Sequence, residues 1–421
     1  MKLSEDLKTK RAKYDFFDSF VLAATLALSA IGVLMVFSIT GASIFNNAAG
    51  DRLSYMIHSA TGVVLGVVAM IAFSIAPNKL FRDKWGFFIL LGTIAILFIT
   101  PIWGQDVPSS PRVYRWLTIP GVITFQAVDL ARVGFILSLP WVIQWFIDKR
   151  LYYSKKIVSA YLIPLFYIAL CTIFILRQPD LGSAIVFFII GMIVFFCSGI
   201  HTRQIVLLFS LAISVIIVTV TGMTGLELAP YQDDRVQAWI DPFNHPRGHQ
   251  SEMGFISIAL GGWTGEGLGK SAQALGFAIE PHTDLIVTIL SEELGVISVL
   301  IVMLLYFFIA FKCFSIALKA REVFSALVCV GVGAFFLTQP FVNLSGVSGL
   351  IPLSGVTLPL ISYGMTSKVA TFALIGIYFN MRRSILVEVE KNKARKEQIV
   401  EMEGESRGRK PEIRLVKKTY N

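Results

Sequence analysis

The amino-acid sequence predicts an all-α integral membrane protein, and two observations carry this prediction. Of the 421 residues, 55% are hydrophobic and only 15% are charged, whereas an ordinary soluble domain carries about a quarter charged residues. The hydrophobic residues stand in long uninterrupted runs, each close to the roughly 20 residues that an α-helix needs to cross a bilayer. This composition excludes a disordered chain, a coiled coil and a typical cytosolic enzyme.

Ten hydrophobic runs are long enough to be membrane-spanning helices. The predicted spans are Phe16–Thr40, Tyr55–Ile75, Trp85–Ile102, Gln126–Phe146, Ile157–Leu176, Leu181–Ile200, Gln204–Thr224, Asp284–Phe311, Val323–Phe341 and Val356–Asn380. The first run is not a cleavable signal, because it exceeds the core of about 7–15 residues that signals have and no A-x-A-like site follows it.

The distribution of basic residues predicts the orientation. With the N-terminus in the cytoplasm, inner segments hold about four times as many lysines and arginines as outer ones, which is the bias that bacterial membrane proteins show. The chain then divides into a basic cytoplasmic N-terminus (1–15), a membrane domain (16–383) and a charged cytoplasmic tail (384–421). Because the basic residues flank apolar runs, the net charge of +9 does not indicate nucleic-acid binding. Residues 225–283, between spans seven and eight, form a large extracytoplasmic loop, and long ordered loops are commonly functional.

Charged residues within or beside spans are costly, so each is a candidate functional residue. Asp129 and Arg132 lie three apart on one helical face of span four, and we expect a structural pair that neutralises itself. Arg177 and Asp180 flank a tight turn between spans five and six. For these two residues a structural clamp and an anion-binding role both remain open.

Span eight carries a stripe of polar residues, since Asp284, Thr288 and Glu292 recur every four residues with Glu293 beside them. We expect a functional role for Asp284, because it lies where the outer loop enters the membrane. For Glu292 and Glu293 we expect hydrogen bonds between helices. Lys368 in span ten is expected to pair with one of these acids or to contact an anionic substrate.

Metal and phosphate motifs are weak. His245 and His249 lie four apart and could meet His282 around a cation, but Pro246 and Gly248 disfavour a shared helix. The glycine-rich residues 261–269 permit a close backbone approach to a ligand, without a Rossmann or P-loop context. The four cysteines show no spacing typical of disulfides or zinc.

Several motifs, in order, resemble the SEDS family (shape, elongation, division and sporulation) of bacterial cell-wall synthesis. They are YRWLTIPGVITFQAVDLAR (114–132), RQPDLGSA (177–184), RVQAWIDPFNHPRGHQ (235–250), ALGGWTGEGLGKSAQALGFAIEPHTDLIVTILSEELG (259–295) and GLIPLSGVTLPLISYG (349–364). The resemblance covers about residues 16–383, with the ten spans and the large loop of that family. The glycine-rich part is closer to the division-type branch than to the elongation-type branch.

This resemblance implies a peptidoglycan glycosyltransferase that polymerises lipid II into β-1,4 glycan at the outer membrane face. The implied partners are a class B penicillin-binding protein, other division proteins and membrane lipids, with no nucleic acid. The family's essential acid corresponds to Asp284, which would act as the general base. The residues implied or expected to bind substrate, through family motifs or as cations for the leaving pyrophosphate, are Glu280, His282, Arg177, Asp180, Arg235, Lys270, Arg115, Ser362 and Lys368.

Three departures from the family pattern accompany the resemblance. QAVDLAR replaces a Pro-Ser-containing motif at 126–132, AIEPHTD differs in two positions at 278–284, and SYGMTS replaces a Gly-Ser-Ser ending before Lys368. The sequence shows no metal cage, although a divalent cation, Mg²⁺ or Mn²⁺, is compatible with pyrophosphate chemistry. A lipid II flippase, an elongation-type polymerase and a non-catalytic scaffold remain alternatives.

Overall fold

Long helices dominate the computed structural model, which describes residues 17–42, 49–107, 110–119, 123–149, 159–199, 236–246, 248–272, 284–353 and 355–406. The elements are α1 (Ser19–Ala42), α2 (Ala49–Ile75), α3 (Lys79–Arg82), α4 (Lys84–Trp103), β1 (Gln105–Val107), β2 (Ser110–Ile119), β3 (Ile123–Gln126), α5 (Ala127–Asp148), α6 (Ser159–Leu176), α7 (Leu181–Phe196), α8 (His249–Gly261), α9 (Ile286–Ala317), α10 (Val323–Val347) and α11 (Met365–Ser406).

The predicted mostly helical membrane architecture is confirmed. Among the described residues, six helices are long and apolar enough to cross a bilayer, namely α1, α2, α4, α5, α9 and α10, and the apolar helices α6 and α7 are shorter. The seventh predicted span, residues 204–224, and much of the loop at 225–283 lie outside the described residues. So do the N-terminal residues 1–15 and the last part of the tail. The tail begins as a direct continuation of α11, which runs past residue 384 without a break.

The helices follow from the apolar runs, because a chain in hydrocarbon must hydrogen-bond its own backbone and an α-helix does so within one segment. Pro101, Pro140, Pro164 and Pro340 lie inside four of the helices. Proline is tolerated in membrane helices, since neighbouring helices and side chains can satisfy the backbone groups that it leaves unpaired.

Helix α10 forms the centre of the bundle and packs against α5, α7, α9 and α11. In its most apolar window 83% of the residues are buried, against 22% in α2 and in α4. Large apolar side chains on those two helices, such as Val64 and Phe88, are exposed. Exposed faces of this kind suit helices at the rim of a bundle, where lipid covers them.

A small antiparallel sheet between α4 and α5 was not among the predicted elements. Its strand order is β1-β2-β3, with Trp116 of β2 opposite both Gln105 and Gln126. The sheet carries Arg115 to the end of the bundle at which α5, α7, α9 and α11 begin. We call this end the outer end, because it is the end predicted to face outside.

The tenth span was predicted to begin at Val356, and this start is wrong. Residues 355–364 are not helical, and α11 begins at Met365. Gly355, Leu360 and Gly364 have positive φ angles, which a continuing right-handed helix does not accommodate. The hydrophobic residues of this segment predicted its burial correctly, but hydrophobicity does not determine whether a buried segment is helical.

Helices α2 and α11 run parallel along a seam of small residues. A Cβ atom on Gly66 would lie 2.3 Å from the ring of Phe372, and one on Gly376 would lie 2.4 Å from the carbonyl oxygen of Met70. In membranes, helix association depends on such close packing, since lipid removes the hydrophobic driving force between helices.

Replacing Gly376 with Ala is expected to destabilise the protein, because the new methyl group meets the backbone of α2, which cannot move aside as a side chain can. Overpacking of this kind costs about 1–3 kcal/mol. Thermal unfolding of the purified protein in detergent would measure the loss. Gly92→Ala in α4 is the control, since no atom lies within 4 Å of its added Cβ; equal unfolding temperatures for the two variants would contradict this account of the seam.

Candidate active site

Asp284 lies at the outer end in the turn just before α9, which begins two residues later than the predicted span. Its side chain is partly exposed. Its carbonyl oxygen accepts a hydrogen bond of 3.0 Å from the Nδ2 of Asn343 in α10. The same nitrogen donates to the carbonyl of Val356 at 2.6 Å. Asn343 therefore joins the turn that carries Asp284 to the non-helical segment before α11.

That non-helical segment, residues 355–364, is held by side chains of two neighbouring helices. Gln339 of α10 donates to the carbonyl of Thr357 at 2.7 Å, and the hydroxyl of Tyr306 in α9 donates to the carbonyl of Pro359. Irregular backbone at membrane depth is stable only where protein or trapped water satisfies it. These hydrogen bonds give the carbonyls of residues 357 and 359 their partners and so hold the conformation of the segment beside Asp284.

Ser362, one of the predicted substrate-binding residues, belongs to this segment. Its side-chain oxygen accepts a hydrogen bond of 2.8 Å from the backbone N–H of Leu358, and its own N–H donates to the carbonyl of Leu358. The side chain is buried, so its described contact stabilises a turn. A substrate contact for Ser362 stays a prediction.

The Glu292 carboxylate ties the outer loop to α9. It accepts hydrogen bonds from the hydroxyls of Ser257 (3.1 Å) and Ser271 (2.7 Å) and from the backbone N–H of Ala272 (2.8 Å). Its side chain is almost fully buried, and a buried carboxylate is tolerable only when so many donors surround it. This arrangement fixes α8 and the residues that lead into the segment carrying Glu280 and His282.

Glu293 makes a second link, to α1. The hydroxyl of Ser38 lies 2.7 and 2.8 Å from its two carboxylate oxygens, and the backbone N–H of Gly269 donates to that same hydroxyl at 2.9 Å. The two neighbouring acids thus face different parts of the fold. Glu292 bonds to α8 and the loop after it, and Glu293 bonds to α1.

The glycine-rich residues 261–269 pack against a break in α9. Gly295 has φ 79° and interrupts the helix. The freed carbonyls of Glu292 and Glu293 accept the N–H groups of Glu266 and Gly267 at 2.9 Å each. In return, the N–H groups of 296 and 297 donate to the carbonyls of 262 and 263.

Glycine is required where these two backbones meet. A Cβ on Gly265 would lie 2.2 Å from the carbonyl oxygen of Glu293, and one on Gly295 would lie 2.2 Å from that of Trp263. Both glycines also have positive φ angles, which other residues adopt only with strain. The glycine-rich segment therefore supplies the hydrogen-bond partners that the interrupted turn of α9 lacks.

Arg115 and Asp180 meet at the start of α7. The Nε of Arg115 lies 3.7 Å from Asp180 Oδ2, and its Nη2 donates to the carbonyl of Pro179 at 2.8 Å. Asp180 also caps α7, accepting the N–H of Ser183 at 3.1 Å and its hydroxyl at 2.9 Å. Asp180 is buried, so its contacts favour the clamp over direct substrate binding.

Asp129 and Arg132 form an ion pair of 3.2 Å that is buried at the start of α5. The guanidinium of Arg132 also lies over the rings of Phe187 and Phe335, at 5.9 and 5.2 Å from the ring centres. Contacts with aromatic faces stabilise a cation that is removed from water. The ion pair thus joins two residues three apart on α5, and a purely structural role for it stays a prediction.

Lys368 is fully buried near the start of α11. Its ammonium group donates to the hydroxyl of Ser59 in α2, and its stem packs beside Gly62. Within the described part of the chain no carboxylate pairs with it. The two acids that were expected as partners, Glu292 and Glu293, bond to other groups. A buried lysine without a counter-charge is costly, and such residues commonly mark functional positions.

Other predicted site residues fall into two groups. Arg177 and Lys270 are exposed near the outer end. Glu280, His282 and Arg235 lie outside the described residues. His249 is the first residue of α8 while His245 precedes the helix, so they do not share a helical face, and the described ranges contain no group of three metal-ligating side chains.

Comparison with known proteins identifies the family. A family model described as "Cell cycle protein", covering FtsW, RodA and SpoVE, matches residues 18–385. The chain belongs to this family. Its relatives include a "Probable peptidoglycan glycosyltransferase FtsW" of Thioalkalivibrio sulfidiphilus, 31% identical over 86% of this chain and 88% of the relative. The protein of the same name from Tolumonas auensis is 30% identical, over 86% and 91% of the two chains.

Solved structures share the fold. A chain from a peptidoglycan synthase complex that coordinates polymerisation and crosslinking aligns with a TM-score of 0.70 at 23% identity, covering 88% of this chain and 98% of that one. The rod shape determining protein RodA of Thermus thermophilus aligns with a TM-score of 0.62 at 21% identity, over 88% and 98% of the chains. The family and its fold make this chain a multi-pass membrane protein.

Sequence reasoning missed the residues that hold the site together, above all Asn343, Gln339, Tyr306 and Ser38. One signal was present: Gln339 and Asn343 lie four apart at the end of an otherwise apolar span, and polar side chains there should face protein partners. Their partners are irregular backbone carbonyls, which no sequence pattern identifies.

Replacing Asn343 with Leu keeps the side-chain volume but removes the donor shared by the carbonyls of Asp284 and Val356. Each buried group left unpaired costs about 1–3 kcal/mol, so we expect a lower unfolding temperature and faster amide exchange across residues 355–364 by mass spectrometry. Asn392→Leu, on the tail of α11, is the control and should change neither quantity. An unchanged rate of amide exchange in the Asn343 variant would contradict the proposal that this side chain holds the two segments together.

Proposed function

We propose that the chain is a peptidoglycan glycosyltransferase that polymerises lipid II, with Asp284 as the general base. Family membership and relatives named as FtsW glycosyltransferases support this activity, and the names of those relatives favour the division-type role. The observation that carries the residue assignment is the setting of Asp284. Its turn is anchored by Asn343 while its side chain stays partly exposed.

The proposed reaction joins a sugar 4-hydroxyl to the anomeric carbon of a polyprenyl-pyrophosphate-linked donor. Asp284 takes the hydroxyl proton, the oxygen forms the glycosidic bond, and the bond to pyrophosphate breaks with its electrons leaving on the phosphate oxygen. An α-linked donor gives a β-linked product by this single inverting displacement. A hydroxyl is a weak nucleophile, and a positioned base contributes about 10²–10⁴-fold in rate.

The leaving pyrophosphate carries negative charge, so cations near the outer end would stabilise it. Arg177 and Lys270 are exposed there, and Arg115 is partly exposed beside Asp180. Lys368 is covered by α2, and it would reach a phosphate only when the outer end of the α2–α11 seam widens. Roles in substrate binding for Glu280, His282 and Arg235 remain proposals carried by the family motif.

A divalent cation, Mg²⁺ or Mn²⁺, remains compatible with the proposed reaction. The described residues do not provide a cage of three acidic, histidine or cysteine ligands. A Mg²⁺ or Mn²⁺ ion that travels with the pyrophosphate would add positive charge at the leaving group. The chain's own contribution would then remain the base and the surrounding cations.

The depth of the buried charges favours chemistry on one side over transport of the lipid. Helices that begin at the outer end carry Asp129, Arg132, Glu292, Glu293 and Lys368 within their first eight residues, and Asp180 caps α7 there. At the opposite end, the buried Asp18 pairs with Lys312 and Arg382. Along the middle of those helices, the described residues place no buried charge that could relay protons or a headgroup across the membrane. A flippase with the same ligand would benefit from such residues.

The proposed topology places the outer end outside the cell and both termini in the cytoplasm, as the bias of basic residues indicates. The proposed partner is a class B penicillin-binding protein that crosslinks the new strands. The fold shared with a chain of a complex that both polymerises and crosslinks supports such a partnership. The outer loop and the small sheet are the surfaces that would face it.

Asp284→Ala is expected to abolish glycan polymerisation from purified lipid II, because it removes the base while leaving the backbone contact with Asn343. A gel of the polymer made with the cognate partner would measure the activity, and thermal unfolding would check the fold. Asp241→Ala is the control, since Asp241 is exposed and, among the described residues, its side chain bonds locally with Asn244 at 3.0 Å. Polymer made by the Asp284 variant would refute the assignment, whereas lipid translocation without polymer in the wild type would favour the flippase.

Lys368→Met is expected to lower polymerisation while keeping or raising thermal stability. Stability is expected to hold or rise because burying an ammonium group costs free energy of folding, and an apolar side chain of similar length removes that cost. A raised KM for lipid II with an unchanged fold would indicate a phosphate contact. Full activity together with a lower unfolding temperature would instead assign Lys368 a purely structural role.

A further inference from the structure

The side of the bundle formed by α1 and α9 exposes a long apolar surface. On α9 the exposed apolar side chains recur every three or four residues, which places them on one face of the helix. They are Ile297, Leu300, Ile301, Leu304, Phe307 and Phe311. On α1, the apolar side chains of Phe20 and Leu34 are also exposed. The proposed polymerase chemistry uses none of these residues.

The two helices touch at both ends of this surface. At the end opposite Asp284, the rings of Phe20 in α1 and Phe308 in α9 lie 6.5 Å apart. At the outer end, Ser38 of α1 bonds to Glu293 of α9. With a rise of about 1.5 Å per residue, the exposed face of α9 covers about 21 Å of the roughly 30 Å of hydrocarbon in a bilayer. Because α9 is apolar and long enough to cross a membrane, acyl chains cover this face.

The glycine-rich segment (residues 261–269) crosses the outer end of this surface from α9 to α1. On the α9 side, the backbone N–H of Ile297 donates to the carbonyl of Trp263 at 3.4 Å. On the α1 side, the backbone N–H of Gly269 donates to the hydroxyl of Ser38 at 2.9 Å. The segment therefore begins beside the first residue of the exposed face of α9 and ends beside the last turn of α1.

Two large apolar side chains of the segment extend away from the protein. Trp263 is 71% exposed and Leu268 is 51% exposed. Their backbone positions are set by the hydrogen bonds to α9 and α1, so the exposure is built into the fold. Leaving apolar area of this size in water forfeits the free energy of burying it. Tryptophan beside the outer end of a membrane helix typically lies at the boundary between hydrocarbon and water.

We propose that Trp263 and Leu268 insert into the outer leaflet of the membrane, where acyl chains meet headgroups, and so anchor the glycine-rich segment to the lipid surface. The lipid-covered face of α9 leads directly to Trp263, so the same lipid would continue over both side chains. Lys312, near the other end of that face, is partly exposed over the ring of Phe20. Lysine and tryptophan at opposite ends of an apolar surface are typical of the two interfaces of a bilayer.

Such an anchor would fix the depth of the break in α9. The segment and the break exchange backbone hydrogen bonds on both sides of Gly295, and the close approach of Gly265 to the carbonyl of Glu293 leaves no room for the two backbones to slide. Insertion of the two side chains would therefore hold the outer end of the apolar part of α9 at the level of the headgroups.

The test uses the full-length protein in nanodiscs of dioleoyl phosphatidylcholine, with a nitroxide label on L268C. The background is C197S, because Cys197 is exposed whereas the other three cysteines are buried. Power saturation compares collisions with oxygen, which partitions into lipid, and with a water-soluble nickel complex. We expect the oxygen-to-nickel ratio at 268 to be several-fold higher than at E266C, the matched control, which replaces an exposed charged side chain of the same segment.

Three outcomes would overturn the proposal. Equal ratios at the two positions would show that Leu268 does not differ from a residue in water. A label at 268 that collides chiefly with the nickel complex would place the side chain in water. A label shielded from both reagents would show that protein covers the position, which in discs of the purified chain means a second copy.

A second variant keeps the test decisive if the labelled protein does not fold. W263F keeps an aromatic ring, and the tryptophan emission that it removes, measured as the difference from the wild type, belongs to Trp263. In nanodiscs whose lipids are brominated close to the headgroup, this emission should be strongly quenched, and in unbrominated discs it should lie at the short wavelengths of an apolar setting. Emission that is unquenched and lies at the wavelength of tryptophan in water would overturn the proposal.

Discussion

The structure depends on one constraint, which is that backbone groups leaving a helix inside the membrane must find partners in the protein. Two such breaks lie near the outer end among the residues that the structure describes. At Gly295 the gap in α9 is closed by the glycine-rich residues 262–267, which exchange four backbone hydrogen bonds with it. At residues 355–364 the side chains of Gln339, Asn343 and Tyr306 take the free carbonyls.

The same contacts form the setting of the proposed base. Asn343 serves both the turn of Asp284 and the segment before α11, so the position of the acid is coupled to the wall opposite it. Glu292 and Glu293 extend this framework to the outer loop and to α1. Buried carboxylates are costly unless donors surround them, and here the donors come from elements that must stay together for the site to exist.

The two ends of the bundle differ in chemistry, and the apolar middle separates them. The outer end concentrates buried charges and irregular backbone around Asp284, which suits a reaction with a charged leaving group. The other end carries ion pairs, of Asp18 with Lys312 and Arg382 and of Arg82 with Glu322. In the proposed reaction, the apolar middle would leave the substrate's polyprenyl tail in hydrocarbon while its headgroup reacts at the outer end.

The sequence by itself determined the class of protein and located eight helices to within six residues at each end, because hydrophobic run length is a property of neighbouring residues. Local spacing also singled out the Asp129–Arg132 pair and the candidate acid Asp284. The SEDS motifs added the family. Only the tertiary structure decided the start of α11, the break in α9, the small sheet and the partners of Glu292, Glu293 and Lys368. Those features rest on contacts between residues far apart in the chain, such as Ser38 with Glu293, 255 positions away, and a local pattern contains no information about which distant backbone group will need a donor.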